Sequence, residues 1–325
     1  MLIIYVDDGL IFTDGEETMN LVLNKLKNNF QVTICTPDYY IGLEIIRKED
    51  SIFIHQKNYI NQIIKRFNLE NAKGSNIPAD PHASFDLNKR SNTSFEKLPY
   101  RQLIGCLMFA AIVTRPDIMF AVSFLSRFLT NFNSDHWNAA KKIVRYLKET
   151  KNYGIQYTKD MDNNDSINII GFCDSDYGND AETRRSTTGY IFKMCNGPIT
   201  WNSQRQKTVS LSTTEAEYYA ASEATKEAIW LRQLLKDIGR SVKVPTFIKM
   251  DNQSTMRLIR NPVYHKRTKH IEIRFHFVRE KFERGEIDID YICSEYQLAD
   301  ILTKALPRDR FSKLRELIGI MSCKE

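Results

Sequence analysis

The stretch from Ser212 to Leu235 constrains this chain more than any other, because it reads as a helix of small residues with an acid on its inner face. At ~100° per residue, Glu217 shares a stripe with Ala221, Ala224, Ala228, Leu231 and Leu235. Alanines let a helix lie close against what it covers, so Glu217 points into the protein. Glu215 lies ~200° away around the same helix. It falls in a mostly polar row with Tyr219, Ser222 and Lys226, three residues after Ser212, where it can complete a capping box. A buried carboxylate is costly unless it is paired or holds a metal ion. The fold must therefore bring partners to Glu217 from elsewhere in the chain.

Those partners stand near strand ends. Ile167 to Asp174 reads as a strand, followed by Gly189 to Cys195 and Pro198 to Ser203, joined at Asn196-Gly197 as a hairpin. After the alanine-rich helix come a fourth strand (Thr246 to Met250), a helix (Asn252 to Ile259) and a further helix from about Lys269 to Arg284, capped by Gly285. Ile287 to Ile292 is a fifth strand, and Glu295 to Leu306 a last helix stopped by Pro307. This is an α/β plan with helices on a mixed five-stranded sheet.

Asp174 lies on the face of Ile170 and Phe172, with Asp176 as its rival. Asp251 follows the fourth strand, and Asp300 lies four residues before Lys304. Ligands bind at strand ends in open α/β sheets. Each acid also has a simpler role, a helix cap for Asp251 and an ion pair with Lys304 for Asp300. Four clustered carboxylates cannot all stay ionised without cations. Oxygen-only ligands favour Mg2+, with Mn2+ as the alternative. Two such ions ~4 Å apart are the machinery of in-line phosphoryl displacement.

The first half has a different texture. Leu2 to Val6 and Leu10 to Phe12 read as strands around Asp7-Asp8-Gly9, a hairpin whose tip presents two adjacent carboxylates or is simply an Asp-Gly turn. A helix from Glu16 to Asn29 spaces Leu21, Leu23, Leu26 and Phe30 for burial. Strand-like runs follow at Gln31 to Cys35, Tyr39 to Arg47 and Ser51 to His55, then an amphipathic helix marked by Ile60, Ile63, Ile64 and Phe67. The polar stretches Asn68 to Lys97 and Lys159 to Ser166 read as linkers. Between them, Pro99 to Thr114, Pro116 to Thr130 and Ser134 to Thr150 read as helices with a shared core. A full strand beginning at residue 2 leads to the expectation that the earlier half of this fold lies upstream.

Composition narrows the function classes. A chain of 325 residues should hold about two domains. Forty-six basic against 40 acidic residues give a charge of +6, which permits a polyanionic partner without requiring one. The six cysteines offer neither a zinc pair nor a disulfide framework, as expected for reduced thiols in cytosol or nucleus. Met1 to Val6 lacks the basic start of a signal peptide, and the run Leu103 to Val113 is too short to cross a bilayer. Neither secretion nor a membrane partner is expected.

Several stretches carry a family resemblance. Asp174, Glu217-Tyr218-Tyr219-Ala220-Ala221, Asp251-Asn252-Gln253-Ser254 and Asp300 resemble, in order, the catalytic segments of the ribonuclease H fold. Thr183 to Tyr190, Ser212 to Tyr218, Arg267 to Ile271 and Gln297 to Lys304 are similar to the ribonuclease H domain of copia-type retrotransposon Pol polyproteins. Tyr5-Val6-Asp7-Asp8 resembles the polymerase hairpin of their reverse transcriptase.

The resemblance implies a partial reverse transcriptase palm and the start of a thumb over 1–67, and a linker with helical thumb or connection over 68–158. It implies a ribonuclease H domain over 167–306 and a tail over 307–325. Asp174, Glu217, Asp251 and Asp300 would hold two Mg2+ ions and cleave the RNA strand of an RNA–DNA hybrid, with Asp7 and Asp8 as polymerase metal ligands. Polymerisation by this chain alone is not expected, because the third palm aspartate would lie before Met1 unless a missing polymerase half or another Pol chain supplies it. Cellular ribonucleases H carry a histidine before their last helix, where this chain has Cys293-Ser294-Glu295-Tyr296. Arg184, Arg185, Ser186, Arg205, Lys207, Lys266, Arg267, Lys269 and His270 are candidates for phosphate contact. A cytoplasmic (virus-like particle) or nuclear location follows from the same resemblance. The alternative is a catalytically silent nucleic-acid-binding relic of a truncated element.

Overall fold

A computed structural model describes residues 1–83, 98–159, 168–240, 242, 244–261 and 272–323, with backbone only at 272 and 273. The chain opens with a hairpin of β1 (Leu2–Tyr5) and β2 (Asp8–Ile11). Tyr5 pairs with Asp8, so the turn is Val6-Asp7, one residue earlier than the Asp-Asp-Gly pattern places it, and Val6 takes the strained φ of 52°. Helix α1 (Glu16–Asn29) forms with its expected bounds, but none of its residues is buried. Leu21 and Phe30 are exposed, so the spacing that predicts a buried face is not met by a partner here. Gln31 to Cys35 forms no strand.

A first sheet then assembles from distant segments. β3 (Tyr39–Tyr40), β4 (Leu43–Lys48) and β5 (Ser51–His55) form an antiparallel meander. The helices α2 (Lys57–Arg66), α3 (Tyr100–Val113), α4 (Met119–Ser126) and α5 (Ser134–Glu149) follow. β6 (Tyr153–Thr158) returns to pair with β5. α4 is shorter than the helix read from Pro116, because Pro116–Ile118 winds as a 3-10 turn. Ile60, Ile63, Leu103, Leu107, Val122, Ile143 and Leu147 pack together at the centre of the helices. Arg115 is fully buried there: its guanidinium donates to Asp117 at 3.0 and 2.8 Å and to the Thr150 carbonyl at 3.1 Å.

The second sheet comprises β7 (Ile170–Asp176), β8 (Thr187–Met194), β9 (Gly197–Arg205), and, after helix α6 (Thr213–Asp237), β10 (Thr246–Met250). Helices α7 (Gln253–Arg260) and α8 (Glu272–Glu283) precede its last strand, β11 (Ile287–Tyr291). Its order is β11-β10-β7-β8-β9, with β7, β8 and β9 antiparallel and β10 parallel to both β7 and β11. This mixed five-stranded sheet with helices is the ribonuclease H-like fold that the resemblance implies. In the β8–β9 hairpin Met194 pairs with Gly197, so the two left-handed turn residues are Cys195 and Asn196, at φ 50° and 62°. Gly197 is needed for another reason: a Cβ there would meet the Tyr157 ring at 2.5 Å.

Two expectations are corrected at the C-terminal end. Glu295 to Leu306 is not one helix but two 3-10 turns, Ser294–Tyr296 and Leu298–Leu302. The break has a local cause, since the Gln297 amide donates to the Cys173 carbonyl and its oxygen accepts from the Ala299 N–H. The described residues after Pro307 are not a tail. They form α9 (Arg308–Ile318) and β12 (Ile320–Ser322), and β12 pairs with β6, so the first sheet runs β12-β6-β5-β4-β3. Phe311, Leu314, Ile318 and Ile320 join the core of the helical half. Among the described residues no helix is long and apolar enough to cross a membrane.

Candidate active site

α6 carries its acid inward as its periodicity requires. Glu217 is 7% exposed, and the stripe below it (Ala221, Ala224, Ala228, Leu231, Leu235) is buried. Glu215 stays at the helix start, where its N–H donates to Ser212 Oγ at 3.2 Å and its carboxylate accepts from the Leu211 N–H at 2.7 Å. The capping box closes one residue upstream of its usual reciprocal partner.

Asp174 lies in β7 opposite Gly189 of β8. A Cβ on Gly189 would meet Thr303 Cγ2 at 2.7 Å and Leu302 Cβ at 2.8 Å. The missing side chain lets the Leu298–Leu302 turn close onto the sheet, and Thr303 Oγ1 then donates to Asp174 Oδ2 at 2.5 Å. Glu217 Oε1 accepts from the Ser175 N–H at 3.3 Å, while its buried Oε2 has no hydrogen-bond partner. Asp251 follows β10, and Ser294 Oγ donates to its Oδ2 at 2.7 Å. One carboxylate oxygen from each of Asp174, Glu217 and Asp251 lies within 4.8 Å of the others.

Burial, and then the charges of Asp174 and Asp251, push the Glu217 carboxyl well above its ordinary range. The same rule puts Asp300 at about 7, by burial first and Asp174 second, with Lys304 opposing. Asp300 is 1% exposed. Lys304 Nζ lies 2.8 Å from its Oδ1 and 3.6 Å from Asp174 Oδ2, and the Arg310 guanidinium donates to Asp300 Oδ2. Burial works against the Lys304 charge, but Asp174 and Asp300 outweigh it and raise its pKa. Thus three of the four sequence-selected acids converge with open valence, and the fourth stands beside them with both oxygens engaged by cations. Asp176, the rival to Asp174, accepts from Asn179 Nδ2 and is not in the converging group.

The other candidates are dispersed. Asp7 and Asp8 sit in the exposed first hairpin and belong to no converging acid group found among the described residues. Arg184 and Lys207 are exposed and Arg185 is half-buried. Ser186 is removed from the phosphate-contact row, because its side chain is buried and its Oγ accepts from the Gly178 N–H at 3.0 Å. Arg205 pairs with Asp180 at 3.2 Å, a carboxylate it shares with Arg127, the residue that caps the C-terminus of α4, at 2.8 Å. Lys266, Arg267, Lys269 and His270 lie outside the described residues. Sequence reasoning missed Ser175, Ser294, Thr303 and Arg310. Thr303 had a signal in its neighbour Lys304, and Arg310 had none, since it arrives on a helix read as tail.

The donor set is all oxygen, and one buried oxygen of Glu217 accepts no hydrogen bond, so the group fits a divalent cation.

Comparison with known proteins bears on the whole chain. A family model described as reverse transcriptase (RNA-dependent DNA polymerase) matches residues 1–81. The Retrovirus-related Pol polyprotein from transposon TNT 1-94 of Nicotiana tabacum is 37% identical over 330 residues, covering 99% of this chain and 24% of the relative. The Pol polyprotein from transposon RE1 of Arabidopsis thaliana is 33% identical over 320 residues, covering 98% of this chain and 21% of the relative. The chain therefore spans less than a quarter of the length of these curated relatives. Among solved structures, a foamy viral protease-reverse transcriptase in complex with dsDNA matches 90% of this chain and 55% of its own, at 13% identity and a TM-score of 0.48. Because the polyprotein matches run through nearly every element from β1 to β12, the chain belongs to the Pol family of copia-type retrotransposons, in its reverse transcriptase and ribonuclease H-like part.

Proposed function

We infer that this chain cleaves the RNA strand of an RNA–DNA hybrid in a divalent-metal-dependent hydrolysis. The observation that carries the reading is the convergence of Asp174, Glu217 and Asp251 with a partnerless buried oxygen on Glu217. These three residues would hold Mg2+ or Mn2+, and Asp300, beside Asp174, would complete the binding of a second ion. When bound, such ions supply Lewis acidity at a phosphodiester and charge to meet the oxyanion that develops there. The chain's own residues do the positioning. The Ser175 N–H fixes one oxygen of Glu217, Thr303 orients Asp174, and Ser294 orients Asp251. Arg184, Arg185 and Lys207 are placed after β7 and before α6, where they would neutralise backbone phosphates.

A second reading, a hybrid-binding protein that does not cleave, draws on one observation: Lys304 and Arg310 already neutralise Asp300 without a metal.

The test is Mg2+-dependent cleavage of a labelled hybrid by the purified chain. Asp174→Asn and Glu217→Gln are expected to lower the rate by at least about 100-fold while leaving the circular dichroism unchanged, and Glu215→Gln to leave the rate within about twofold. Retained cleavage in either of the first two variants would remove the assignment. Salt-dependent hybrid binding without cleavage by the wild type would establish the second reading.

A further inference from the structure

The two sides of the acid cluster are in different electrical states. Asp174, Glu217 and Asp251 present oxygens to one another, and one buried oxygen of Glu217 has no partner. Asp300 is buried too, and its Oδ1 likewise accepts no hydrogen bond, yet Lys304 stands 2.8 Å from that oxygen as an ion pair and Arg310 donates to Oδ2. Lys304 also reaches toward the shared acid, 3.6 Å from Asp174 Oδ2. We propose that Lys304 and Arg310 form an internal latch. In the free chain they occupy the Asp300 side of the centre, so that one divalent ion binds at Asp174, Glu217 and Asp251 and a second binds only after the latch opens. The inference rests on the metal-dependent reading of this site and adds its regulation.

The argument is one of competition for the same atoms. A carboxylate has two oxygens, and each of Asp300's stands against a cation, Oδ1 in an ion pair with Lys304 and Oδ2 in a hydrogen bond from Arg310. A divalent ion placed there would also face an ammonium and a guanidinium at close range, a repulsion that low local dielectric amplifies. Both cationic side chains are partly exposed, at 35% and 39%, so each can leave without unpacking the core. Phosphate esters are strong partners for lysine and arginine, through charge-assisted hydrogen bonds that are bidentate for arginine. A nucleic-acid backbone therefore offers both cations a replacement anion, and its arrival would free Asp300 for the second ion.

Arg310 gives the latch a second hold. It rides on α9, outside the five-stranded sheet, and its guanidinium also donates to the Ser294 carbonyl at 2.9 Å. The Ser294 hydroxyl in turn donates to Asp251. One arginine thus touches the fourth acid and the loop that orients the third.

The test is a Mn2+ titration of the metal-stripped full chain without nucleic acid, followed by calorimetry and by paramagnetic resonance of the free ion. The wild type is expected to bind one ion per chain, and the Lys304→Gln/Arg310→Gln double variant two, with the second at least about tenfold tighter than any second event in the wild type. Arg310→Lys, which keeps the charge, is expected to retain the count of one. Two ions of similar affinity in the wild type would overturn the latch. So would an unchanged count in the double variant, provided its circular dichroism matches the wild type. The expected counts together with no hybrid cleavage would uphold the latch and remove only the hydrolase reading. A wild type that binds no Mn2+ would remove both.

Discussion

Glu217 and Asp300 make the metal-free chain sensitive to pH in a direction opposite to that of ordinary surface acids. Both carboxyls are raised, Glu217 well above its usual range and Asp300 to about 7, chiefly by burial and then by neighbouring acids. A group with a raised folded pKa holds its proton more tightly in the fold than in the unfolded chain. Ionising it inside the fold therefore costs stability, and the cost accrues as the pH rises from the ordinary carboxylate pKa, about 4, through the folded value. Asp180 is shifted the other way, since hydrogen bonds from Thr183 and the nearby Arg205 and Arg127 overcome its burial, and it acts only below that window. The cluster's share in the melting temperature of the chelator-treated chain is accordingly expected to fall between about pH 5 and pH 7, against an opposing rise from the His55 and His136 imidazoles, whose pKa burial lowers. Glu217→Gln should flatten that fall, and saturating Mg2+ should abolish it in the wild type. A pH profile that Glu217→Gln leaves unchanged would show that the cluster is not under the strain its burial implies.

At the scale of elements, α9 and β12 tie the last segment to both halves of the molecule through Gly319. This residue ends α9 at φ 99°, and a Cβ on it would meet the Asn196 carbonyl at 2.8 Å. Gly319→Ala is expected to cost about 2 kcal/mol, through backbone strain and the clash with the β8–β9 turn. Gly285→Ala is the control, because Gly285 has φ 67° but open space around it, and it should cost about 1 kcal/mol. Urea midpoints with unchanged slopes would measure both, and equal midpoints would show that the contact with Asn196 is slack.

The same segment shows where sequence reading stops. Helical period placed Glu217 inside α6, because a long helix repeats its signal over many residues. The Asn-Gly pair located the β8–β9 hairpin but not its register, since the glycine is required by Tyr157 across the interface rather than by the turn. The last turns read as helix because side-chain pattern does not report that Gln297 spends its amide on β7. Arg310 was invisible because its meeting with Asp300 is set by the packing of α9 and not by spacing along the chain.

At the scale of the whole molecule, the two sheets share one interior. Phe172 and Ile191 leave the second sheet on the face opposite α6 and, with Leu298, Ile301 and Leu302, join the core built by α2 to α5. Polar contacts stitch the same junction: Trp201 Nε1 donates to the Ala111 carbonyl at 2.8 Å, Ser123 Oγ to Ser203 O at 2.8 Å, and Tyr157 OH to Pro198 O at 2.7 Å. The Arg127–Asp180 pair adds a largely buried charge contact at 2.8 Å. Separating the halves would expose this apolar face and exchange these hydrogen bonds for bonds to water, a cost of several kcal/mol, chiefly from the apolar surface, that neither half recovers alone. The helical half and the ribonuclease H-like half are therefore expected to unfold together. The tryptophans report this directly, since Trp137 sits in α5 and Trp201 and Trp230 sit in β9 and α6. Trp137→Phe and Trp230→Phe chains, both keeping Trp201 and its bond to Ala111, should melt at the same temperature by fluorescence and by far-ultraviolet circular dichroism. Two separated transitions would mean that the shared core is only apposed, and that the ribonuclease H-like unit folds without help from the helices that lie against it.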